Sequence, residues 1–481
     1  MPDNNTHGRR RFLKVTGAAA VASAIPFSGT AAASGGLLDS AFDRTTNALQ
    51  ESLVVFDSND DVDRLGTLNL VNGYHKFDVL PIGYTELSVS QLETVANWES
   101  VRNVRKNVEL DYYNDDSRRV TGTDKVQSSM GYKGDGVHTA VIDSGVDGSH
   151  PDLQSCLVAN WQWVGNPLGS PTLWEQVGGL NTDTIGHGTH VSGSIAGDGT
   201  ESNGKQRGMA PNADLTMYTA GETLYILKPV SAYDHLLSRV KNGTSDVKIV
   251  SNSYGSSNGK KFQPDSALNV ATWHAYQNDL LSVFAAGNSG PSTNTLNQYA
   301  KAPHVLGVAA TKDDKTVTNF SSRGRKQDST NTPDNWDRKT ALGNLAAHHD
   351  GNGGSRPYGL YRPGIGAPGN EIVSTMAPDA PLQAESPEDG RIWYATISGT
   401  SMATPMVSGI ATLVVDAYRQ NNSGDISPLE LLNTLTAEAD DAHSSYTPWN
   451  IGTGFVDAVG AVTRAENGNL GTYSDVSLVS N

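Results

Sequence analysis

Apolar residues recur along this chain in two rhythms, and the change between them falls near residue 120. From Tyr74 to Val89 they alternate in the manner of one or two strands, punctuated by Pro81 and Gly83. Ser90-Gln91-Leu92-Glu93 reads as a capping box opening a short helix with Leu92, Val95 and Ala96 turned inward. Val101 to Tyr112 returns as a strand, and the polar run Asn114 to Arg119 reads as an exposed, cleavable linker. Residues 34–118 therefore form a small α+β unit of their own.

Beyond that point short apolar strands alternate with helix-spaced runs, which predicts an α/β domain over residues 119–465 with a mostly parallel sheet. Val137 to Ile142 leads into Asp143, Val247 to Val250 into Ser251-Asn252-Ser253, and Leu280 to Ala286 into Gly287-Asn288. Val305 to Ala310 is a further strand. Ligands of open α/β sheets sit beyond the carboxyl ends of strands, so these polar endings are site candidates. Met402, Met406, Val407, Ile410, Ala411 and Val414 follow at spacings of three and four, predicting a helix with Ser401 at its N-terminus and Pro405 in its first turn.

Composition narrows the class. The 481 residues include 50 glycines, 18% charged and 37% hydrophobic residues, which suits a compact, loop-rich extracellular enzyme. A net charge of −16 argues against nucleic acid as a partner and fits a saline habitat. Arg9-Arg10-Arg11-Phe12-Leu13-Lys14, a short apolar stretch and Ala31-Ala32-Ala33 resemble a twin-arginine export signal occupying residues 1–33. No later segment is long and apolar enough to span a membrane, so a soluble, secreted monomer is expected. Cys156 is the only cysteine, which rules out an intrachain disulfide and leaves stability to packing and bound ions.

Ser401 taken alone is as well read as an N-cap as a nucleophile, because a serine hydroxyl needs a base and nearby dipoles to react. His187, in Gly186-His187-Gly188-Thr189-His190, is by itself equally a base, a metal ligand or a structural histidine. Together Asp143, His187 and Ser401 supply an orienting carboxylate, a general base and a nucleophile, and Asn288 an amide donor for an oxyanion. At these residues, and at Gly208-Met209-Ala210-Pro211, Gly366-Ala367-Pro368-Gly369 and Gly452 to Ala458, the chain resembles the subtilisin-like serine proteases. Export signal and acidic excess add a likeness to its halolysin-like members.

The resemblance implies a three-layer subtilisin-like fold preceded by a small ferredoxin-like propeptide that acts as intramolecular chaperone and inhibitor. It implies that Ser401 attacks the scissile carbonyl, His187 takes its proton, Asp143 orients the imidazole, and Asn288 with the Ser401 N–H receives the oxyanion. His190 is then a structural helix residue. Ser253, Tyr254 and Gly255 line one wall of the P1 pocket, Ala286 and Gly287 the other, and Asn297 its floor. The absence of an acidic residue there implies hydrophobic or broad P1 preference. Protein or peptide substrates add as an extended strand.

The chemistry implied needs no cofactor, but His150-Pro151-Asp152-Leu153 resembles the family element whose aspartate binds a structural calcium, and Asn203 is the one plausible ligand of the partner loop. An insertion over residues 325–362, with Asp328, Asp334, Asp337, His348, His349 and Asp350, has the ligand types of a metal site but no defined ligand spacing, and reads better as a solvated acidic loop. Residues 466–481 read as a short polar tail. A narrow peptide-processing protease and an inactive protein-binding relative share this pattern; the intact set of four candidates speaks against the latter.

Overall fold

The computed structural model describes residues 37–112, 119–256, 261–326, 336–385 and 392–480. The export signal, linker residues Asn114 to Arg118 and part of the insertion lie outside them. The N-terminal unit comprises β1 (Gln50–Phe56), β2 (Tyr74–Lys76), β3 (Ile82–Leu87), α1 (Val89–Ala96) and β4 (Val101–Lys106). Its antiparallel sheet runs β2-β3-β1-β4, the ferredoxin-like order, with the 3-10 helix Asp60–Thr67 where the first crossover helix would lie.

Two local expectations shift. The capping box sits two residues early: Ser88 Oγ accepts from the Gln91 N–H, and Gln91 Oε1 accepts from the Ser88 N–H at 2.9 Å. Ser88 fits the same pattern as Ser90, and the helix it opens still buries Leu92, Val95 and Ala96. The strand expected over Val101 to Tyr112 divides, and β5 (Glu109–Tyr112) leaves the small sheet. Asn107 makes the break: its N–H donates to Glu51 O, its Nδ2 to the Glu51 carboxylate, and its Oδ1 accepts the Leu227 N–H at 2.8 Å.

The large unit holds β6 (His138–Asp143), β7 (Leu157–Trp163), β8 (Trp174–Gln176), α2 (His187–Ala196), β9 (Asp214–Thr219), β10 (Leu224–Tyr225) and α3 (Leu227–Lys241). There follow β11 (Ile249–Asn252), β12 (Tyr254–Gly255), α4 (Ala267–Gln277), β13 (Leu281–Ala285), β14 (Val305–Thr311), α5 (Arg338–His349), β15 (Ile365–Pro368), α6 (Thr400–Asn421), α7 (Pro428–Ala437) and α8 (Ala458–Glu466). The main sheet runs β15-β14-β13-β11-β6-β9-β7-β8, parallel throughout except for β8. Alternate residues of β6 feed two cores: Val141 packs with α2, α6, α7 and α8, while Ala140 and Ile142 pack with α3 and α4. This is the three-layer α/β arrangement.

The same alternation joins the two units. Leu53 and Val55 of β1 enter the α3–α4 core, whereas Val54 and Phe56 enter the small unit's own. Asp234 of α3 reinforces the contact by accepting the backbone N–H groups of Asp78, Val79 and Leu80 at 2.9–3.1 Å. The insertion contains a helix where a solvated loop was expected: α5 buries Arg338, Ala341, Leu342 and Leu345, and His348 pairs with Asp265 at 2.9 Å. Arg338 donates to the carbonyls of Pro303 and Val305, pinning α5 against the start of β14. Nor is the tail free, since the Val479 side chain is buried and its N–H reaches Gly452 O.

Burial holds His190 and His304 down to about 3, and His235 and His274 down to about 4. Their unfolded counterparts protonate near pH 6.5, so the unfolded chain binds protons first as the medium acidifies. This contribution to stability is intact above about pH 6.5 and is lost progressively toward about pH 3. The expected result is a Tm that falls across that window; a Tm constant or rising as pH drops through it would contradict the buried neutral imidazoles.

Candidate active site

At the carboxyl edge of the sheet the residue that ends β6 meets the histidine that opens α2, and the start of α6 meets the residue that follows β11. Asp143 is the last residue of β6 and fully buried, and its Oδ1 lies 2.5 Å from His187 Nδ1. Burial pushes the Asp143 carboxyl up, and the neighbouring His187 and the Ser144 N–H pull it back down. Gly188 allows this closeness, because a Cβ there would stand 2.1 Å from the Gly145 carbonyl oxygen. His190, one turn along, has its Nε2 beside the carbonyls of Ile372 and Ala395 and stays neutral through burial.

Asp183 is a further site residue, missed in the sequence because it belongs to no recognised run. Its Oδ1 accepts from Ser144 Oγ at 2.8 Å and the Gly186 N–H at 2.9 Å; its Oδ2 accepts from Thr189 N–H and Oγ1. Ser144 Oγ in turn accepts the Gly188 N–H at 2.8 Å. One buried carboxylate thus ties the end of β6 to the unpaired N–H groups that start α2. The signal available was an acidic residue three positions ahead of Gly186, near the positive end of a helix opening on histidine.

Ser401 is the second residue of α6, and α6 packs against α2. Its Oγ donates to the Ser253 carbonyl at 2.8 Å, while Ser253 Oγ donates to the Ser401 carbonyl at 2.8 Å. Pro405 explains the second bond. It lies in the second turn of α6, not the first as expected, so it lacks the N–H that would have paired with the carbonyl four residues back. That carbonyl belongs to Ser401 and is left for Ser253.

Asn288 follows β13, and its Oδ1 accepts both the N–H and Oγ1–H of Thr400, at 2.9 and 3.0 Å. Thr400 Oγ1 accepts the Gly287 N–H at 3.1 Å. With its oxygen consumed, the Asn288 side chain has its NH2 left to offer, and the network fixes that orientation. Ser253, Tyr254 and Gly255 run beside this cluster, with Ala286 and Gly287 opposite. Asn297, expected on the pocket floor, ties the two segments expected as the pocket walls together. It is 1% exposed, and its Nδ2 donates to Tyr254 O at 3.1 Å and Ala285 O at 2.9 Å. A Cβ on Gly255 would stand 2.1 Å from that nitrogen.

Asp152 does not suit a cation. Its Oδ1 accepts the Glu201 N–H at 2.8 Å and its Oδ2 the Tyr394 hydroxyl at 2.6 Å, so neutral donors take both oxygens. Asn203 closes a turn in the left-handed conformation. Among the described residues no group of three His, Cys, Asp or Glu side chains is placed to hold a metal. Nor is any helix among them long and apolar enough to cross a membrane.

Residues 134–454 match the model of the Subtilase family. The chain is 29% identical over 354 residues to the serine protease AprX of Bacillus subtilis, covering 70% of this chain and 68% of that one. It is 27% identical over 332 residues to subtilisin DY of Bacillus licheniformis, covering 67% and 90%. Sphericase superimposes with a TM-score of 0.52 at 27% identity over 71% of this chain and 96% of its own. Fervidolysin from Fervidobacterium pennivorans gives 0.60 at 19% identity, a likeness of fold that takes in 89% of this chain and 62% of that one. With the family model matching well over half its length, the chain belongs to the subtilase family of serine proteases.

Proposed function

We propose that this subtilase is a secreted serine endopeptidase, made as a self-processing proenzyme, with Asp143, His187 and Ser401 as its catalytic residues and Asn288 in its oxyanion hole. The observation that carries the reading is the 2.5 Å contact between Asp143 and His187 Nδ1. It holds the imidazole with Nδ1 protonated and leaves Nε2 as the base. The Ser401 hydroxyl turns from the Ser253 carbonyl toward Nε2, gives up its proton and attacks a substrate carbonyl. The negative charge that develops is met by the Asn288 NH2 and the first N–H groups of α6, aided by the helix dipole. His187 then protonates the leaving amine, and water releases the acyl group from Ser401.

Extended substrates pair with β12 on one side and β10 on the other. The N-terminal unit serves as chaperone and inhibitor, and the twin-arginine segment directs export. The test is expression of the full chain, with salt and calcium present, followed by casein digestion and labelling with a fluorophosphonate. Casein fragments and a label on Ser401 are expected. A folded chain that neither digests casein nor takes the label would sink the proposal.

A further inference from the structure

Two buried guanidiniums lie close together at the amino edge of the main sheet, the opposite edge from Ser401. Arg338 opens α5 and is 6% exposed; Arg362 stands just ahead of β15 and is 3% exposed. Arg338 Nη1 donates to the carbonyls of Pro303 and Val305. Arg362 donates from Nε to Trp336 O and from Nη1 to Pro363 O, both at 2.9 Å. All four acceptors are neutral, and among the described residues neither guanidinium pairs with a carboxylate. Burial pushes Arg338 down only to about 10, and burial with the Arg338 charge pushes Arg362 down to about 9. Both therefore stay positive at neutral pH. Buried charge is costly unless it is opposed, so two adjoining cations held only by backbone dipoles leave a place for an anion.

The two arginines line a cavity of about 330 Å³ between the start of α5, α7 and the C-terminal tail. Asp337, the acid on its wall, spends its carboxylate on capping α5, where it accepts the Lys339 N–H and the Thr340 hydroxyl. Asn433 of α7, also on the wall, is an independent sign of a ligand. It is 2% exposed, its Oδ1 is sealed from solvent without a partner, and its amide makes no hydrogen bond among the described residues. A buried amide left unpaired is costly, and nothing here fixes which end of it faces the cavity, so its NH2 is free to do so. The positive end of the α5 dipole points to the same place. Trp336, Val476 and Leu478 supply an apolar wall.

We propose that this cavity binds a carboxylate carried on a small apolar body. Arg338 and Arg362 hold the carboxylate, Asn433 donates to it, and Trp336, Val476 and Leu478 enclose the rest. Guanidinium forks match the two oxygens of a carboxylate, which a spherical halide does not offer. A halide would also leave the apolar wall uncovered, whereas a cavity of this size encloses a single-ring acid. The site goes beyond the peptidase function and does not depend on it. Occupation ties the tail to the insertion helix, so the stability of the fold becomes linked to ligand concentration.

The test is calorimetric titration of the full chain, carrying Ser401→Ala so that it stays whole, with sodium benzoate replacing sodium chloride at constant sodium. Benzoate is expected to bind one to one, at least about tenfold tighter than acetate, and to raise the Tm saturably. N-acetylphenylalanine in a parallel titration tells the carboxyl end of a peptide from a free acid, the tighter binder naming the source. Arg362→Gln should weaken benzoate by about tenfold or more. Asn433→Leu removes an amide that bonds nothing else in the chain, so it should weaken benzoate by about fivefold or more while the Tm without benzoate holds or rises. That second variant decides the matter if Arg362→Gln does not fold. No saturable heat, chloride competing as well as benzoate, or binding that neither substitution weakens would overturn the site.

Discussion

Ser401→Ala will leave the chain as an uncut precursor and reduce casein hydrolysis by roughly four or more orders of magnitude, while the precursor keeps its folded Tm to within a few degrees. The hydroxyl is the one group in the site able to form the acyl intermediate, and neither His187 nor Asp143 can replace it. Structurally the loss is small. The substitution removes the bond to the Ser253 carbonyl, but the Ser401 backbone carbonyl still accepts from Ser253 Oγ, so the start of α6 stays tied to β12. Intact mass with calorimetry checks both halves. A variant that still matures at the wild-type rate would remove Ser401 from the mechanism.

Asn288→Leu is expected to lower kcat by roughly 100- to 1,000-fold, a size taken over from a subtilisin of this family, with KM changed far less. Leucine keeps the volume but offers no donor to the oxyanion, so transition-state binding suffers and ground-state binding does not. It also strips Thr400 of the acceptor for its N–H and hydroxyl. Thr400→Val separates the two effects: the amide donor remains, held by the backbone N–H alone, and a smaller drop in kcat should follow. Steady-state kinetics on one chromogenic peptide reads both variants; equal losses, or losses confined to KM, would contradict the assignment. Asp183 invites the same comparison, because its carboxylate positions α2 without a place among the reacting groups.

The elements that sequence made legible are those whose signal is local. Val137 to Ile142, Leu280 to Ala286 and Val305 to Ala310 became β6, β13 and β14 within a residue or two, because a buried parallel strand must be apolar on both faces. The helix from Ser401 onward was equally readable from its three- and four-residue spacing. Asp143 ends a strand, His187 and Ser401 start helices and Asn288 lies in the loop just after a strand, each in a run that carries glycine, which is why they stood out as candidates.

What stayed hidden is whatever depends on a partner distant in the chain. Val101 to Tyr112 contains no glycine or proline to mark a break, and its division at Asn107 comes from Glu51 and Leu227, which lie far away in sequence. Asn297 could be placed near the P1 pocket by counting, but its role as a brace needed the carbonyls of Tyr254 and Ala285. Asp152 reads as a cation ligand until Tyr394, 242 positions later, takes one of its oxygens. The helix in the insertion was masked by its charges, because the burial of Arg338 is made bearable by carbonyls at the start of β14. Local periodicity was enough for the fold class, and the order and content of the motif runs for the family. Strand register and the donors that consume each buried polar atom follow from long-range pairing, which no local pattern encodes.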